Sequence, residues 1–171
     1  MNNQKQNLRK WAKEERKKLN IEELSQKLVL KLKDTKEYQT ALNIMIYYPL
    51  INEINLLKLL EDTTKNFYLP KISGNQLLCC PYNSNDELCY SCFKTKEPTT
   101  TPIEKNLIDL VIIPALAVDK NNHRLGYGGG FYDRFLENCN ATKLVCIPEI
   151  LILQSIFAEK HDIKVDKVIS V

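Results

Sequence analysis

Asp109-Leu110-Val111-Ile112-Ile113-Pro114 is the stretch whose reading decides the fold: an unbroken apolar run, mostly β-branched, that stops at a proline. An apolar run without polar alternation marks a strand covered on both faces, the kind found in parallel sheets. Ile44 to Tyr48 and Leu144 to Ile147 have the same character, and Val165 to Ile169 reads as a last strand. Phe67 to Leu69 and Leu77 to Cys80 read as strands joined through Ser73-Gly74-Asn75. Helical patterns fall between these runs. Asn7 to Leu19 carries an apolar stripe of Leu8, Trp11, Ala12 and Leu19. Asn20 with Glu23 resembles a capping box, opening a helix that buries Leu24, Leu28 and Leu32. Asn52 is expected to cap a helix bearing Ile54, Leu57 and Leu60, and further helices are expected over 130–138 and 150–157. Residues 83–106, with Pro98 and Pro102, read as a loop. The alternation predicts an α/β protein: one α/β/α sandwich spanning residues 1–171, with a largely parallel central sheet.

Downstream of the deciding strand comes Arg124-Leu125-Gly126-Tyr127-Gly128-Gly129-Gly130-Phe131-Tyr132-Asp133-Arg134, in a chain with only five glycines. Glycine permits positive φ and close backbone approach, so successive N–H groups can converge on an anion. The loop leads into a helix whose first amides would face the same anion. Arg124 and Arg134 can add charge-assisted hydrogen bonds, and Asp133 offers a hard oxygen to a magnesium ion held among phosphates. The Gly-Lys-Ser/Thr ending of a Walker loop is absent, and Phe131 stands where a dinucleotide fingerprint needs its third glycine. The plain alternative is an ordinary surface turn; the arginines, the acid and the helix start together favour anion binding.

The rest of the composition narrows the class. The chain has 171 residues with a formal net charge of +3, too little to imply a nucleic-acid or membrane partner. Positive charge gathers early, in Lys5, Arg9, Lys10, Lys13, Arg16, Lys17 and Lys18. No stretch approaches the ~20 apolar residues that span a bilayer. The polar start argues against a secretory signal, so a cytoplasmic protein with reduced cysteines is expected. Cys79-Cys80 with Cys89 and Cys92 could form a four-thiolate zinc site, but the first pair lacks the usual gap and reads as two faces of a strand.

Taken together, the segments 109–119 and 124–134 closely resemble the 5-formyltetrahydrofolate cyclo-ligase family. Lys5, Leu8 and Arg9 resemble its amino-terminal motif, Asn52-Glu53-Ile54 its acidic pair, and Leu69-Pro70-Lys71 a strand end. His161-Asp162 and Val165-Asp166 resemble its closing segment. The resemblance implies the fold of sugar-phosphate isomerases and CoA transferases. It also implies an ATP- and magnesium-dependent ring closure of 5-formyltetrahydrofolate to 5,10-methenyltetrahydrofolate, through a phosphorylated formyl intermediate. By resemblance, Lys5, Arg9 and the loop from Arg124 through Leu125, Gly126, Tyr127, Gly128, Gly129, Gly130, Phe131 and Tyr132 to Asp133 hold ATP. Tyr48, Glu53, Tyr127, Gly128, Gly129, Gly130 and Phe131 hold the folate, with or without a polyglutamate tail. Arg124, Tyr132 and Arg134 are the expected catalytic groups, and Asp133 and Asp166 the expected magnesium ligands. Lys5 and Arg9 are four residues apart, which puts both on one helical face.

Some positions depart from the family pattern. Asn122 replaces a common glycine, Tyr127 and Gly129 stand where some members carry Arg and Lys, and Phe131 replaces a tyrosine. The segment from Ile147 to Phe157 fits poorly. A monomer acting on small molecules is expected, without nucleic acid or membrane. Two alternatives stay open: a non-catalytic folate- or nucleotide-binding relative, and a related ATP-dependent enzyme with another substrate.

Overall fold

The computed structural model describes residues 2–91, 95–159 and 162–171. In chain order, α1 (Asn2–Lys17), α2 (Ile21–Lys33) and α3 (Lys36–Thr40) precede β1 (Asn43–Met45). Strands β2 (Asn66–Ser73), β3 (Gln76–Pro81), β4 (Leu88–Tyr90), β5 (Lys96–Pro98), β6 (Leu110–Ile112), β7 (Ala117–Asp119) and β8 (Arg124–Leu125) follow. Then come α4 (Phe131–Leu136), β9 (Thr142–Ile147), β10 (Ile152–Leu153) and β11 (Lys167–Ser170).

The main sheet runs β11-β9-β6-β1-β2-β3. All its pairings are parallel except β2–β3, an antiparallel hairpin closed by Gly74 at φ 57°. The expected parallel sheet therefore stands, with one antiparallel edge. Its strands divide their side chains between two cores. Ile44, Leu110, Ile112 and Leu144 pack with Leu28 and Leu32 of α2 on one face. Met45, Val111, Ile113 and Val145 pack with Ala12 of α1 and Phe135 and Leu136 of α4 on the other. With helices on both faces, neighbouring positions in a strand must both be apolar, which explains the unbroken runs. Each fully buried Leu or Ile contributes about 2 kcal/mol.

Local chemistry sets several boundaries. Asn20 caps α2 by accepting the Glu23 N–H at 3.2 Å, and Glu23 accepts from the Asn20 amide nitrogen at 3.2 Å. The box is thus closed through two side chains. Thr35 similarly caps α3, a helix the sequence reading missed because it is only five residues long. Asn122 adopts φ 63°, the left-handed conformation that Asn tolerates in place of glycine.

Three expectations are corrected. Asn52 caps no helix: it takes φ 63° in a turn, and a 3-10 turn follows at Leu57–Glu61. Residues 150–157 form no helix either. A 3-10 turn at Glu149–Leu151 leads into β10, where Ile152 and Leu153 pair in parallel with Val118 and Asp119. Sheet pairing supplies there the backbone hydrogen bonds a helix would have made internally. The loop assigned to 83–106 contains the antiparallel pair β4–β5. Between Pro114 and the glycine loop the chain also forms the antiparallel pair β7–β8.

Candidate active site

A cavity of about 1130 Å³ opens beyond the carboxyl ends of β1, β2 and β6, where Tyr47, Tyr48, Pro70, Ile72 and Pro114 lie. Ligands of open α/β sheets gather at such edges. The glycine loop forms another wall. Every residue from Arg124 to Arg134 lines the cavity, and Lys5, Arg9, Tyr48 and Glu53 line it as well. Of the expected site residues, only Asp166 lies outside.

The loop owes its path to two glycines. Gly128 takes φ 102° and Gly130 takes φ 66° as the residue preceding α4, conformations that L side chains rarely adopt. A methyl group on Gly128 would also sit 3.4 Å from the Arg9 guanidinium carbon. Arg9 Nε donates to the Gly126 carbonyl at 2.9 Å, so α1 holds the loop directly. Arg134 ties the far side, donating to the carbonyls of Asn75 at 3.0 Å and Gly129 at 3.1 Å. It thereby braces the loop against the β2–β3 turn. Because α4 is only six residues long, anion attraction here depends on loop amides and arginines more than on a helix dipole.

Arg124 is buried and its Nη2 donates to Asp133 Oδ1 at 2.8 Å. Its Nε and the Tyr132 hydroxyl are both buried without a hydrogen-bond partner among the described residues. The guanidinium lies 5.9 Å from the centroid of the Tyr132 ring. Unpaired buried polar groups are costly, and two of them on one cavity wall suit an incoming oxygen-rich ligand. Burial, reinforced by the negative charge of Glu53, raises the Tyr132 phenol far above its usual range, so it remains a donor.

Glu53 sits opposite, also buried. Its Oε2 accepts from the Leu50 N–H at 2.8 Å and its Oε1 from the Tyr127 hydroxyl at 2.5 Å. Arg16 Nη1 stands 3.8 Å from Oε1. The loop thus reaches across and touches the carboxylate expected to meet folate. Burial first, then Glu53, pushes the Tyr127 phenol upward, against the opposing pull of Arg16. Tyr48 lines the same region, with the Lys96 ammonium 5.6 Å from its ring centroid.

Lys5 is buried and bonded to Asp162 at 2.6 Å, with Glu159 at 3.4 Å. Asp162 and Glu159 line the cavity. Asp166 instead accepts the Lys143 N–H at 2.7 Å at the β9–β11 edge, with the Lys143 ammonium 3.9 Å away. Asp162, four residues earlier, thus shares the cavity with Asp133, whereas Asp166 binds the backbone outside it. Among the described residues no group of three or more His, Cys, Asp or Glu is disposed to hold a metal.

Residue-type reasoning also missed Arg16, Tyr47 and Glu97. Arg16 is seven residues from Arg9 and so on the same helical face, a spacing visible in the sequence. Glu97 lay in the supposed loop; it is buried on β5 and accepts the Ile72 N–H at 3.2 Å. Cys79 and Cys80 are buried, and burial pushes the Cys79 thiol up to about 12, as expected of a packing residue. Cys92 and His161 lie outside the described residues. Among the described residues no helix is long and apolar enough to cross a membrane.

Comparison with known proteins identifies the family. A Haemophilus influenzae 5-formyltetrahydrofolate cyclo-ligase is 33% identical over 60% of this chain and 59% of its own length. The Escherichia coli K12 counterpart is 32% identical over 58% of this chain and 66% of its own. These two alignments each cover less than two thirds of the relative. A mouse cyclo-ligase aligns over 99% of this chain and 94% of its own length at 26% identity. The solved structure of an Aquifex aeolicus 5,10-methenyltetrahydrofolate synthetase superposes with a TM-score of 0.85 and 28% identity, covering 97% of this chain and 89% of that one. The sequence model of the 5-formyltetrahydrofolate cyclo-ligase family matches residues 1–171, and the chain belongs to that family.

Proposed function

We propose that this protein is a 5-formyltetrahydrofolate cyclo-ligase that uses ATP and magnesium to form 5,10-methenyltetrahydrofolate, ADP and phosphate. One observation carries the reading: the glycine loop, with its arginines, and the Tyr48–Glu53 wall face a single cavity. A nucleotide's γ-phosphate and a folate's formyl group could meet there. The formyl oxygen attacks the γ-phosphorus and ADP departs. N10 then closes on the activated carbon, losing its proton as phosphate leaves. Such chemistry asks the protein chiefly for alignment and charge stabilisation.

Roles follow from position. Lys5, Arg9 and the amides of residues 125–130 hold the phosphates. Arg124 Nε and the Tyr132 hydroxyl, both unpaired, donate to the oxygens that gain charge during transfer. Arg134 keeps the loop in shape. Glu53 and Tyr48 orient the folate. Asp133 and Asp162 offer hard oxygens on the same cavity, which fits magnesium carried by one or two carboxylates and the phosphates. The ion, when bound, neutralises phosphate charge. The protein acts in the cytoplasm as a monomer on small molecules alone.

Purified protein mixed with 5-formyltetrahydrofolate, ATP and magnesium should generate the near-ultraviolet methenyl chromophore. Omitting ATP should abolish it. No chromophore from the folded protein, or formation independent of ATP, would overturn the assignment.

A further inference from the structure

Arg16 stands apart from the other cations of α1. Lys5 and Arg9 line the cavity, whereas Arg16, two turns beyond Arg9, does not, although it is as buried as Lys5 and more buried than Arg9. Its Nη2 donates to the Ala115 carbonyl, just after the strand end at Pro114. Its Nη1 faces the Tyr127 hydroxyl at 3.3 Å and Glu53 Oε1 at 3.8 Å. Ala12, fully buried, lies between Arg9 and Arg16 on the same face and keeps the helix close to the sheet.

Glu53 is the group this arrangement serves. A buried carboxylate needs a countercharge, and within 4 Å of Glu53 the cation among the described residues is Arg16. Both carboxylate oxygens have fixed donors, Leu50 N–H on one and the Tyr127 hydroxyl on the other. Arg16 contacts the Tyr127 oxygen as well as the carboxylate, so the guanidinium stands behind both. Its fork is in turn fixed by a backbone carbonyl and cannot swing into the cavity. Guanidinium geometry suits such a multi-donor post better than an ammonium.

We propose that Arg16 is a positioning residue for the folate half of the site: without touching substrate, it holds the Glu53 carboxylate in its orientation and seats Tyr127 against it. This rests on the cyclo-ligase reading of the cavity and adds a residue to it. The nucleotide half, built on Lys5, Arg9 and the loop amides, should be indifferent to the change.

The test compares R16M, which keeps length and loses charge, with R16K, which keeps charge and loses the fork. Steady-state kinetics would use 5-formyltetrahydrofolate and ATP as the varied substrates. R16M should raise the folate KM about tenfold or more, the scale expected when a buried carboxylate loses its cation. Its ATP KM should stay within about twofold, and R16K should fall between R16M and the parent protein. In an E53Q background, the Arg16 change should add less than about twofold, because its partner charge is already gone. A merely structural arginine predicts otherwise: both KM values rise together, or the loss is as large in E53Q as alone. Either result overturns the proposal, as does an unchanged folate KM. Should R16M not fold, R16K carries the test, and a parental folate KM in R16K counts against the proposal. Absence of turnover in the parent protein would overturn the cyclo-ligase reading along with this one, whereas parental turnover with an indifferent Arg16 removes this one alone.

Discussion

Arg124 on β8 and Asp133 on α4 form an ion pair of 2.8 Å that joins the two ends of the glycine loop. Arg124 is buried and Asp133 partly so, and both line the cavity. The pair closes the loop into a ring around its own amides. Asp133 also takes up Nη2 of the guanidinium, while the buried Nε is left without a partner among the described residues.

Arg124→Ala and Asp133→Ala should therefore each reduce methenyl formation about a hundredfold or more, the range seen when a donor to developing charge is lost. The double variant should be little worse than either single one, since both changes break one unit. Rates for all three, measured by the absorbance assay, check this, and additive losses would contradict it.

Gly130→Ala should disturb stability and nucleotide binding together. Alanine at φ 66° costs about 1 kcal/mol, and its methyl would meet Arg134 Nη1 at 2.7 Å. Moving Arg134 frees the loop from Asn75, so the ATP KM should rise while the urea midpoint falls. A variant with the parental midpoint and KM would remove the case for a strained, braced loop.

Asp162 and Asp166 should separate cleanly. Asp162→Asn is expected to cut turnover about tenfold or more and to raise the magnesium concentration needed for half-maximal rate. Asp166→Asn should leave turnover within about twofold and cost only what a weakened cap on Lys143 costs, about 1 kcal/mol. Magnesium titrations of the two variants decide the matter; the reverse pattern would restore Asp166 to the site.

Glu97 gives a prediction for pH. Burial raises its carboxyl above the ordinary range, outweighing the Ile72 N–H that favours the anion. The folded state thus binds this proton more tightly than the unfolded chain. Its contribution is most favourable below the unfolded carboxylate value and is lost as pH rises through the folded value. Glu97→Gln, which can still accept from Ile72, should remove that part of the pH dependence, making the variant relatively more stable at pH 7.5 than at pH 4.5. Urea midpoints at the two values measure it, and an unchanged difference would refute it.

The apolar runs and the glycine loop were legible in one dimension because their causes are local. Leu110 to Ile113 are all apolar because both faces of their strand are covered, and no sequence-distant detail is needed to infer that. Gly128 and Gly130 mark positive φ by the absence of a side chain, and Arg9 follows Lys5 by one helical turn. Those features set the sheet, the glycine-loop wall of the cavity and the family resemblance.

Tertiary structure alone decided that Asp162 lines the cavity while Asp166 does not, because the two differ in how the chain approaches β11. It also decided that Ile152 and Leu153 pair with β7 instead of forming a helix, since a short apolar segment takes whatever backbone partner the fold presents. The Arg16–Glu53–Tyr127 contact belongs to the same class. Its members come from a helix, a turn and a loop, and a buried charge finds its partner only once packing has excluded water from both.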